Sequence, residues 1–292
     1  MGAGQVLWAG TLGALSFADR LDAAVAGGYS GMSVFPWDCR PPAGVGTRAP
    51  LIRRQADAEG VRIVALDPVT TWLPARALTV NEHGASADVR ARAGFVEMFN
   101  AYTVIEAVQM ASGVGADLIT VIEPVGRVVS TDRAAEAFAS ICDVAAAHDL
   151  RVQLEFMPFS GIPDLQSAWD IVRQAGRENG GLVLDSWHYF RSRPDHELLA
   201  SLPPQTVFTV QLSDGPAIAE PDLWAAAAQA RRLPGSGDFD LATMLAIVLA
   251  TQPAAWIGPE VVSSALAMLD PRQAAIQAAE ATAAAVSSAA LT

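Results

Sequence analysis

Residues 151–185 read RVQLEFMPFSGIPDLQSAWDIVRQAGRENGGLVLD, and this stretch contains a strand, a helix and a second strand. The apolar runs at its two ends predict the strands, and Asp164 is a natural N-cap for the helix between them. Two strands joined through a helix form a parallel βαβ unit. Each predicted strand ends in a carboxylate, Glu155 in the first and Asp185 in the second.

The same alternation of apolar runs and helical patterns continues along the whole chain. We predict strands at 5–11, 31–36, 62–66, 117–122, 151–156, 181–185, 207–212 and 255–261. Eight such strands alternating with helices predict an α/β fold, a (β/α)8 TIM barrel that forms a single domain over residues 1–292. A doubly wound sheet is the alternative, but no G-x-G-x-x-G motif follows the first predicted strand.

The longest gap between predicted elements lies between the third and fourth strands. Residues 71–93 read as an irregular segment, long enough for a lid or an active-site loop. A helical pattern follows at 94–112.

The composition restricts the classes of partner and compartment. Lys and Arg total 19 against 31 Asp and Glu, and a net charge of −12 argues against a nucleic-acid partner. The two cysteines, Cys39 and Cys142, form no CxxC pair, which excludes a thiolate zinc site and fits a reducing compartment. The first residues lack a signal-peptide pattern and no apolar run is long enough to span a membrane. We therefore expect a cytoplasmic protein without a membrane partner.

Polar side chains stand where four consecutive predicted strands end. They are Glu155, Asp185, Gln211 and Glu260. The carboxyl ends of barrel strands share one mouth, where three buried carboxylates would repel one another unless a cation neutralised them. This oxygen-only set predicts one divalent metal ion, with Mn²⁺ or Mg²⁺ favoured and Co²⁺ as a further candidate.

Other side chains near strand ends are candidates for contact with a substrate. His188 could act in acid–base chemistry from the same strand end as a metal ligand. Arg191 could hold an anionic group, and Trp8 could form an aromatic wall. Glu123 ends the fourth predicted strand and Asp67 follows the third, so both could reach a substrate.

Five segments, in chain order, carry a family resemblance: LEFMP, LVLDSWHYFRSR, VQLSDGP, RRLPGSGDFD and IGPEVV. Together they resemble the sugar phosphate isomerase/epimerase family of xylose isomerase-like TIM barrels, most strongly over residues 151–262. That family includes ketose 3-epimerases, inosose dehydratases and 3-dehydroshikimate dehydratases. The resemblance implies the same four metal ligands and a substrate-contacting histidine at His188. It also implies a substrate-contacting arginine, for which Arg231 and Arg232 are the candidates.

The chain departs from the family pattern at two positions. Many members have histidine where this chain has Gln211, although an amide oxygen can also bind a metal. The 3-dehydroshikimate dehydratases usually have a histidine two residues after the first ligand glutamate, where this chain has Met157. The histidine base of that reaction is therefore missing.

The resemblance implies a metal-dependent isomerase or epimerase of carbohydrate metabolism, acting on a sugar, keto-sugar or related polyol. We expect catalysis by Glu155 and Glu260, one removing a proton next to a carbonyl and the other returning it after an enediolate intermediate. His188 would orient a substrate hydroxyl. The alternative is a lyase, because the same intermediate can expel a β-leaving group by dehydration or β-elimination.

The sequence also bears on two other classes of protein and on the oligomeric state. One alternative to an enzyme is a barrel that only binds a sugar or regulates a partner. The intact polar residues at all four strand ends argue against this alternative. A DNA-repair enzyme resembling endonuclease IV would need more than four histidines and a basic face. Alanine-rich outer helices and the family resemblance favour a homo-oligomer, either a dimer or a tetramer.

Overall fold

The computed structural model describes residues 4–40, 46–73, 100–126 and 128–291. Its eight strands are parallel, and each pairs with the next one along the chain. They are β1 Val6–Leu7, β2 Gly31–Val34, β3 Arg62–Val69, β4 Leu118–Ile122, β5 Arg151–Glu155, β6 Gly180–Asp185, β7 Val207–Leu212 and β8 Trp256–Pro259. The predicted TIM barrel is confirmed.

The barrel closes where β1 meets β8. Gln5 forms a parallel bridge with Ile257, and the backbone N–H of Trp8 donates to the carbonyl of Pro259 at 3.4 Å. Gly258 makes this approach possible, since a Cβ atom there would lie 1.7 Å from the carbonyl oxygen of Val6.

Helices follow the strands and cover the outside of the barrel. Those of the described residues are α1 Phe17–Ala26, α2 Pro36–Cys39, α3 Ala49–Ala58, α4 Val104–Val114, α5 Thr131–Ala146, α6 Leu165–Ala175, α7 Ser186–Arg191, α8 His196–Ser201, α9 Leu223–Gln229, α10 Leu241–Thr251 and α11 Pro271–Ala289. Aspartate side chains cap many of them, as Asp164 caps α6 and Asp270 caps α11.

The strands are buried on both faces, as expected for parallel strands between a barrel interior and a layer of helices. One face packs against the helices in the main hydrophobic cluster, which includes Phe138 and Ile141 of α5. The interior contains a smaller cluster in which Trp8 packs with Leu118 and Phe208. Alternate side chains along a strand point to opposite faces, so strand-end polar groups can share the interior with this cluster.

The first predicted strand is too long. The structure ends β1 at Leu7 and continues with a 3-10 helix at Ala9–Leu12. The backbone N–H of Ala9 donates to Ser33 Oγ at 2.8 Å, and the hydroxyl of Thr11 donates to the Pro259 carbonyl at 2.9 Å. These contacts with β2 and β8 turn the chain inward, which the local sequence does not reveal.

The predicted helix at 94–112 is interrupted within the described residues, where residue 100 is helical and residues 101–103 are not. Within the described residues α4 starts at Val104, because Thr103 and Glu106 form a capping box at that point. The predicted lid or active-site loop at 71–93 falls mostly outside the described residues, as do residues 94–99.

Two short helices in the β6–β7 connection were not predicted. Both α7 and α8 are only six residues long, too short for a clear helical period. Among the described helices, none has the length and apolar character needed to cross a membrane.

Candidate functional site

The strand register brings the predicted ligands together at the carboxyl end of the barrel. Asp185 of β6 is the direct pairing partner of Gln211 of β7, so both lie at one level. Glu155 ends β5, and Glu260 follows the last residue of β8. The chain thus delivers an oxygen-bearing side chain at each of four successive strand ends.

Asp185 is completely buried and uses both carboxylate oxygens. Its Oδ1 accepts the backbone N–H of His188 at 2.9 Å and so caps α7. Its Oδ2 accepts a hydrogen bond from Arg231 Nη1 at 2.7 Å. As the N-cap of α7, Asp185 is therefore held in place, and the same helix directs His188 toward the site.

Three residues with metal-binding groups form a cluster among the strand-end side chains. One oxygen each of Glu155 and Asp185 and a ring nitrogen of His188 all lie within 4.8 Å of one another. The Nε2 atom of His188 is 3.4 Å from Glu155 Oε1. His188 is thus placed as a candidate ligand as well as a candidate acid–base or substrate-contacting group.

Arg231 enters the same cluster from the loop after α9. Its Nη1 lies 3.4 Å from Glu260 Oε2 as well as in contact with Asp185, and its Nη2 is 3.3 Å from His188 Nε2. The guanidinium is buried, with a side-chain exposure of 5%. Its positive charge offsets part of the negative charge that the surrounding carboxylates would carry.

Burial and neighbouring charges shift the acidities of the cluster. Burial raises the pKa of Asp67 well above its usual value, and the nearby Glu155 carboxylate adds to this effect. Burial also raises the pKa of Glu260, against the opposing influence of Arg231. Burial acts in the same direction on Asp185, but Arg231 and His188 outweigh it and lower the pKa of Asp185. These opposing shifts mark a crowded carboxylate cluster of the kind found at functional sites.

Gln211 provides the test of whether the cluster fits a cation. Its Oε1 atom is buried and accepts no hydrogen bond from the described residues. An orphaned buried carbonyl oxygen is costly unless a further group satisfies it. Together with buried carboxylates that repel one another, this oxygen makes the donor set suitable for a hard divalent cation.

A cavity of about 430 Å³ opens above the cluster. Its described lining includes Asp67, Glu155, His188, Arg231 and Glu260 on the polar side. Apolar side chains form the rest of the wall, among them Phe35, Trp37, Met157, Phe159 and Trp224. The polar groups and the apolar wall together resemble a small-molecule site.

Four predicted substrate-contacting residues lie away from this lining. Trp8 is fully buried in the barrel interior, and Arg232 is exposed. Arg191 donates to Glu220 Oε2 at 2.9 Å and to the Pro216 carbonyl, which ties it to a loop. A role of these side chains in contact with substrate stays a prediction from the sequence.

Glu123 is the fourth residue of this group. Its carboxylate accepts backbone N–H groups of Val125, Gly126 and Gly161 at 2.6–3.0 Å. The side chain therefore holds together the loops after β4 and β5, and it is not among the described residues that line the cavity.

Asp67 and Gly10 stand outside the predicted metal-ligand set but line the same cavity. Asp67, which the sequence marks as a strand-end carboxylate that could reach a substrate, lines the cavity beside Glu155. Gly10 also lines the cavity, and a Cβ atom there would lie 2.8 Å from Glu260 Oε1. The strand-end position was a signal for Asp67, whereas nothing local marks Gly10.

Comparison with known proteins identifies relatives that share this fold. The sequence profile of the xylose isomerase-like TIM barrel family matches residues 21–285, which is most of the chain. The chain belongs to this family. This match confirms the family resemblance drawn from the sequence. The similar proteins include isomerases, epimerases and dehydratases.

Two curated relatives are similar over part of the chain. A 3-dehydroshikimate dehydratase of Pseudomonas aeruginosa is 34% identical over 140 residues, which is 47% of this chain and 22% of that protein. An inosose isomerase of Bacillus velezensis is 30% identical over 82 residues, which is 27% of this chain and 29% of that protein. The matched segments thus span less than a third of either relative.

A solved structure shares the fold over nearly its whole length. It is the IolI protein with a bound zinc atom, which superposes with a TM-score of 0.80 at 17% identity. The match covers 97% of this chain and 98% of that chain.

Proposed function

We propose that this protein is a divalent-metal-dependent isomerase or epimerase acting on a sugar, keto-sugar or related polyol. The observation that carries the proposal is the meeting of Glu155 and Glu260 at one cavity, with Asp185 and Gln211 buried beside them. Membership of the xylose isomerase-like family and the zinc bound by the IolI protein support it.

The proposed cation would be held by Glu155, Asp185, Gln211 and Glu260, with His188 close enough to take part. When bound, it would polarise a substrate carbonyl and its neighbouring hydroxyl. Mn²⁺ or Mg²⁺ suits the oxygen-rich donors best, and the histidine nitrogen also makes Co²⁺ and Zn²⁺ reasonable occupants.

The two glutamates would carry the proton transfer. They reach the cavity from strand ends three positions apart around the barrel, so they face a bound substrate from different sides. One carboxylate would take the proton from the carbon next to the carbonyl, and the other would return a proton to the opposite face. Return of the proton to the same carbon inverts that carbon. Delivery of the proton to the former carbonyl carbon, while the neighbouring hydroxyl loses its own proton, moves the carbonyl instead.

His188 and Arg231 would orient the substrate. The His188 Nε2 atom lies near both Glu155 and Arg231, at the boundary between the carboxylate cluster and the cavity. From there the imidazole can hydrogen-bond a substrate hydroxyl. Phe159, whose ring packs edge-on against His188, helps to keep water from the reacting carbon.

Deuterium exchange tests the proposal directly. The chain loaded with Mn²⁺ is incubated in D₂O with a panel of ketoses and ketone derivatives of inositol. We expect deuterium on the carbon next to the carbonyl and an epimeric or isomeric product. Glu155→Gln and Glu260→Gln should each lower the rate by about 100-fold or more, with the fold retained by circular dichroism.

Glu136→Gln is the matched control, since Glu136 is an exposed glutamate on the outer helix α5. It should exchange at the wild-type rate. Wild-type rates in both Glu155→Gln and Glu260→Gln would rule out the proposed roles of the two glutamates.

A lyase is the second candidate, because the 34% identical relative from Pseudomonas aeruginosa is a dehydratase. Proton removal at the same carbon followed by loss of a β-hydroxyl would give an enone. Met157 weighs against the dehydroshikimate reaction, since it lines the cavity where those enzymes usually have a histidine. An enone absorbance in the ultraviolet, without an epimeric product, would favour the lyase.

A further inference from the structure

A line of buried hydrogen bonds crosses the barrel interior next to the candidate cation site. It joins side chains from four strands, namely Thr209, Gln153, Thr120, Asp67 and Gln211. Four of these residues are 0% exposed and Asp67 is 6% exposed. Gln153 and Thr209 precede Glu155 and Gln211 by two residues on their strands, so they form the layer beneath the site.

From Thr209 to Asp67 the donors of this line all point the same way. The hydroxyl of Thr209 donates to Gln153 Oε1 at 2.9 Å, and Gln153 Nε2 donates to Thr120 Oγ1 at 2.9 Å. Because the Thr120 oxygen already accepts this bond, its own proton is left for Asp67, to which it is hydrogen-bonded. The line therefore ends on the Asp67 carboxyl group as the final acceptor.

Gln211 reaches the same carboxyl group from β7. Its Nε2 atom donates to Asp67 Oδ2 at 3.5 Å. An amide whose nitrogen faces Asp67 turns its oxygen to the other side. That oxygen, Gln211 Oε1, is the buried acceptor without a partner in the described part of the chain.

We propose that Asp67 is a positioning residue, which sets the Gln211 amide so that its oxygen, and not its NH₂ group, faces the divalent cation. The proposal rests on the proposed function, because it needs the cation site. The two ends of an amide differ little in size, so only hydrogen bonding selects which end faces the site. An inverted amide would direct donor hydrogens at a cation and leave the Asp67 oxygen opposite a carbonyl oxygen.

Titration of the full-length chain with Mn²⁺ tests this role without any substrate. Calorimetry, or electron paramagnetic resonance of free Mn²⁺, gives the affinity. Asp67→Asn should weaken binding by about 10- to 100-fold, the usual effect of removing a partner of a metal ligand. The asparagine amide in this variant offers both a donor and an acceptor, so it no longer selects one orientation of Gln211.

Thr120→Val separates orientation from charge. This variant removes the hydroxyl that donates to Asp67 but leaves the net charge unchanged, and we expect a smaller loss of affinity of several-fold. Thr282→Val is its matched control, since Thr282 is also 0% exposed but lies on α11, away from the site. It should bind Mn²⁺ like the wild type.

The double variant Asp67→Asn with Gln211→Glu exchanges donor and acceptor. The new side chain at position 67 donates through its NH₂ group, and the new carboxylate at position 211 accepts. It should bind Mn²⁺ more tightly than Asp67→Asn alone. Wild-type affinity in Asp67→Asn, or an unchanged affinity in Thr120→Val, would overturn the positioning role. Wild-type protein that binds no Mn²⁺ would instead overturn the proposed metal site on which the role depends.

Discussion

Gly10 shows how a single residue shapes the candidate site. It lies in the 3-10 helix after β1, and a Cβ atom at this position would lie 2.8 Å from Glu260 Oε1 and 3.3 Å from the carboxyl carbon. The absent side chain therefore leaves the space that the Glu260 carboxylate occupies. The proposed metal ligand Glu260 therefore packs directly against the backbone of Gly10.

Gly10→Ala should move the Glu260 carboxylate and weaken Mn²⁺ binding by about 10-fold, an effect like that of other changes next to a ligand. The fold should persist, because the displaced group is the end of a flexible side chain. Gly13→Ala is the control, since its nearest neighbours would lie at an ordinary 3.6 Å. Equal Mn²⁺ affinities for the two variants in a calorimetric titration would contradict this account of Gly10.

At the scale of the element, α6 links the two strands that carry Glu155 and Asp185. Its N-cap, Asp164, accepts the backbone N–H of Ser167 at 2.9 Å through Oδ1, and its Oδ2 accepts from Arg193 at 2.9 Å. Burial acts to raise the pKa of Asp164, but these hydrogen bonds outweigh it and lower the pKa below its usual value.

Asp164→Ala should lower the free energy of unfolding by about 1 kcal/mol at neutral pH, as for other N-cap deletions. A depressed pKa stabilises the fold above the pKa of the unfolded state. The difference between wild type and variant should therefore shrink as the pH falls through the folded-state pKa of Asp164. Urea unfolding of both proteins at several pH values measures this.

Asp164→Asn is the matched variant, because asparagine keeps a capping oxygen and loses only the charge. It should lose less stability than Asp164→Ala, since Arg193 is 88% exposed and its ion pair contributes little. A difference between Asp164→Ala and wild type that grows at low pH would be inconsistent with the depressed pKa.

Elements set by neighbouring residues could be predicted from the sequence. The βαβ rhythm and the cap at Asp164 depend on residues a few positions apart, and they agree with the structure. The early end of β1 depends on contacts of Ala9 with Ser33, 24 residues away, and of Thr11 with Pro259, 248 residues away. Local periodicity carries no information about such contacts.

In the candidate site, too, some residues could be predicted from the local sequence and others could not. Glu155 and Asp185 were predicted because parallel strands place their carboxyl ends at one mouth, whatever the loops do. Arg191 and Glu123 could not be placed, since the loops that surround them decide where their side chains point. The hydrogen bond between Asp67 and Gln211 joins residues 144 positions apart, so the local sequence could not indicate the positioning role proposed for Asp67.

For the whole molecule, closure of the barrel depends on Gly258. This residue lies where β8 meets β1, and the carbonyl oxygen of Val6 would be 1.7 Å from an added Cβ atom. That oxygen belongs to the backbone and cannot rotate away. Closure also places Glu260, two residues further on, at the mouth.

Gly258→Ala should destabilise the protein by about 3 kcal/mol or more, at the upper end of overpacking effects, because the β1–β8 seam must separate. Chemical denaturation measures the loss. Gly13→Ala should stay close to the wild type, because Gly13 has helical backbone angles and an added Cβ atom would make only ordinary van der Waals contacts, at 3.6 Å or more. Wild-type stability for Gly258→Ala would mean that the seam is looser than the structure shows.

We propose that the barrel mouth holds one divalent cation. The most direct test is metal content by mass spectrometry after mild purification, combined with thermal melting before and after treatment with EDTA. We expect about one equivalent of a divalent metal per chain and a lower melting temperature after chelation, since a ligand of the folded state stabilises it. A chain with no bound metal, whose melting temperature does not change when Mn²⁺ or Mg²⁺ is added, would contradict it.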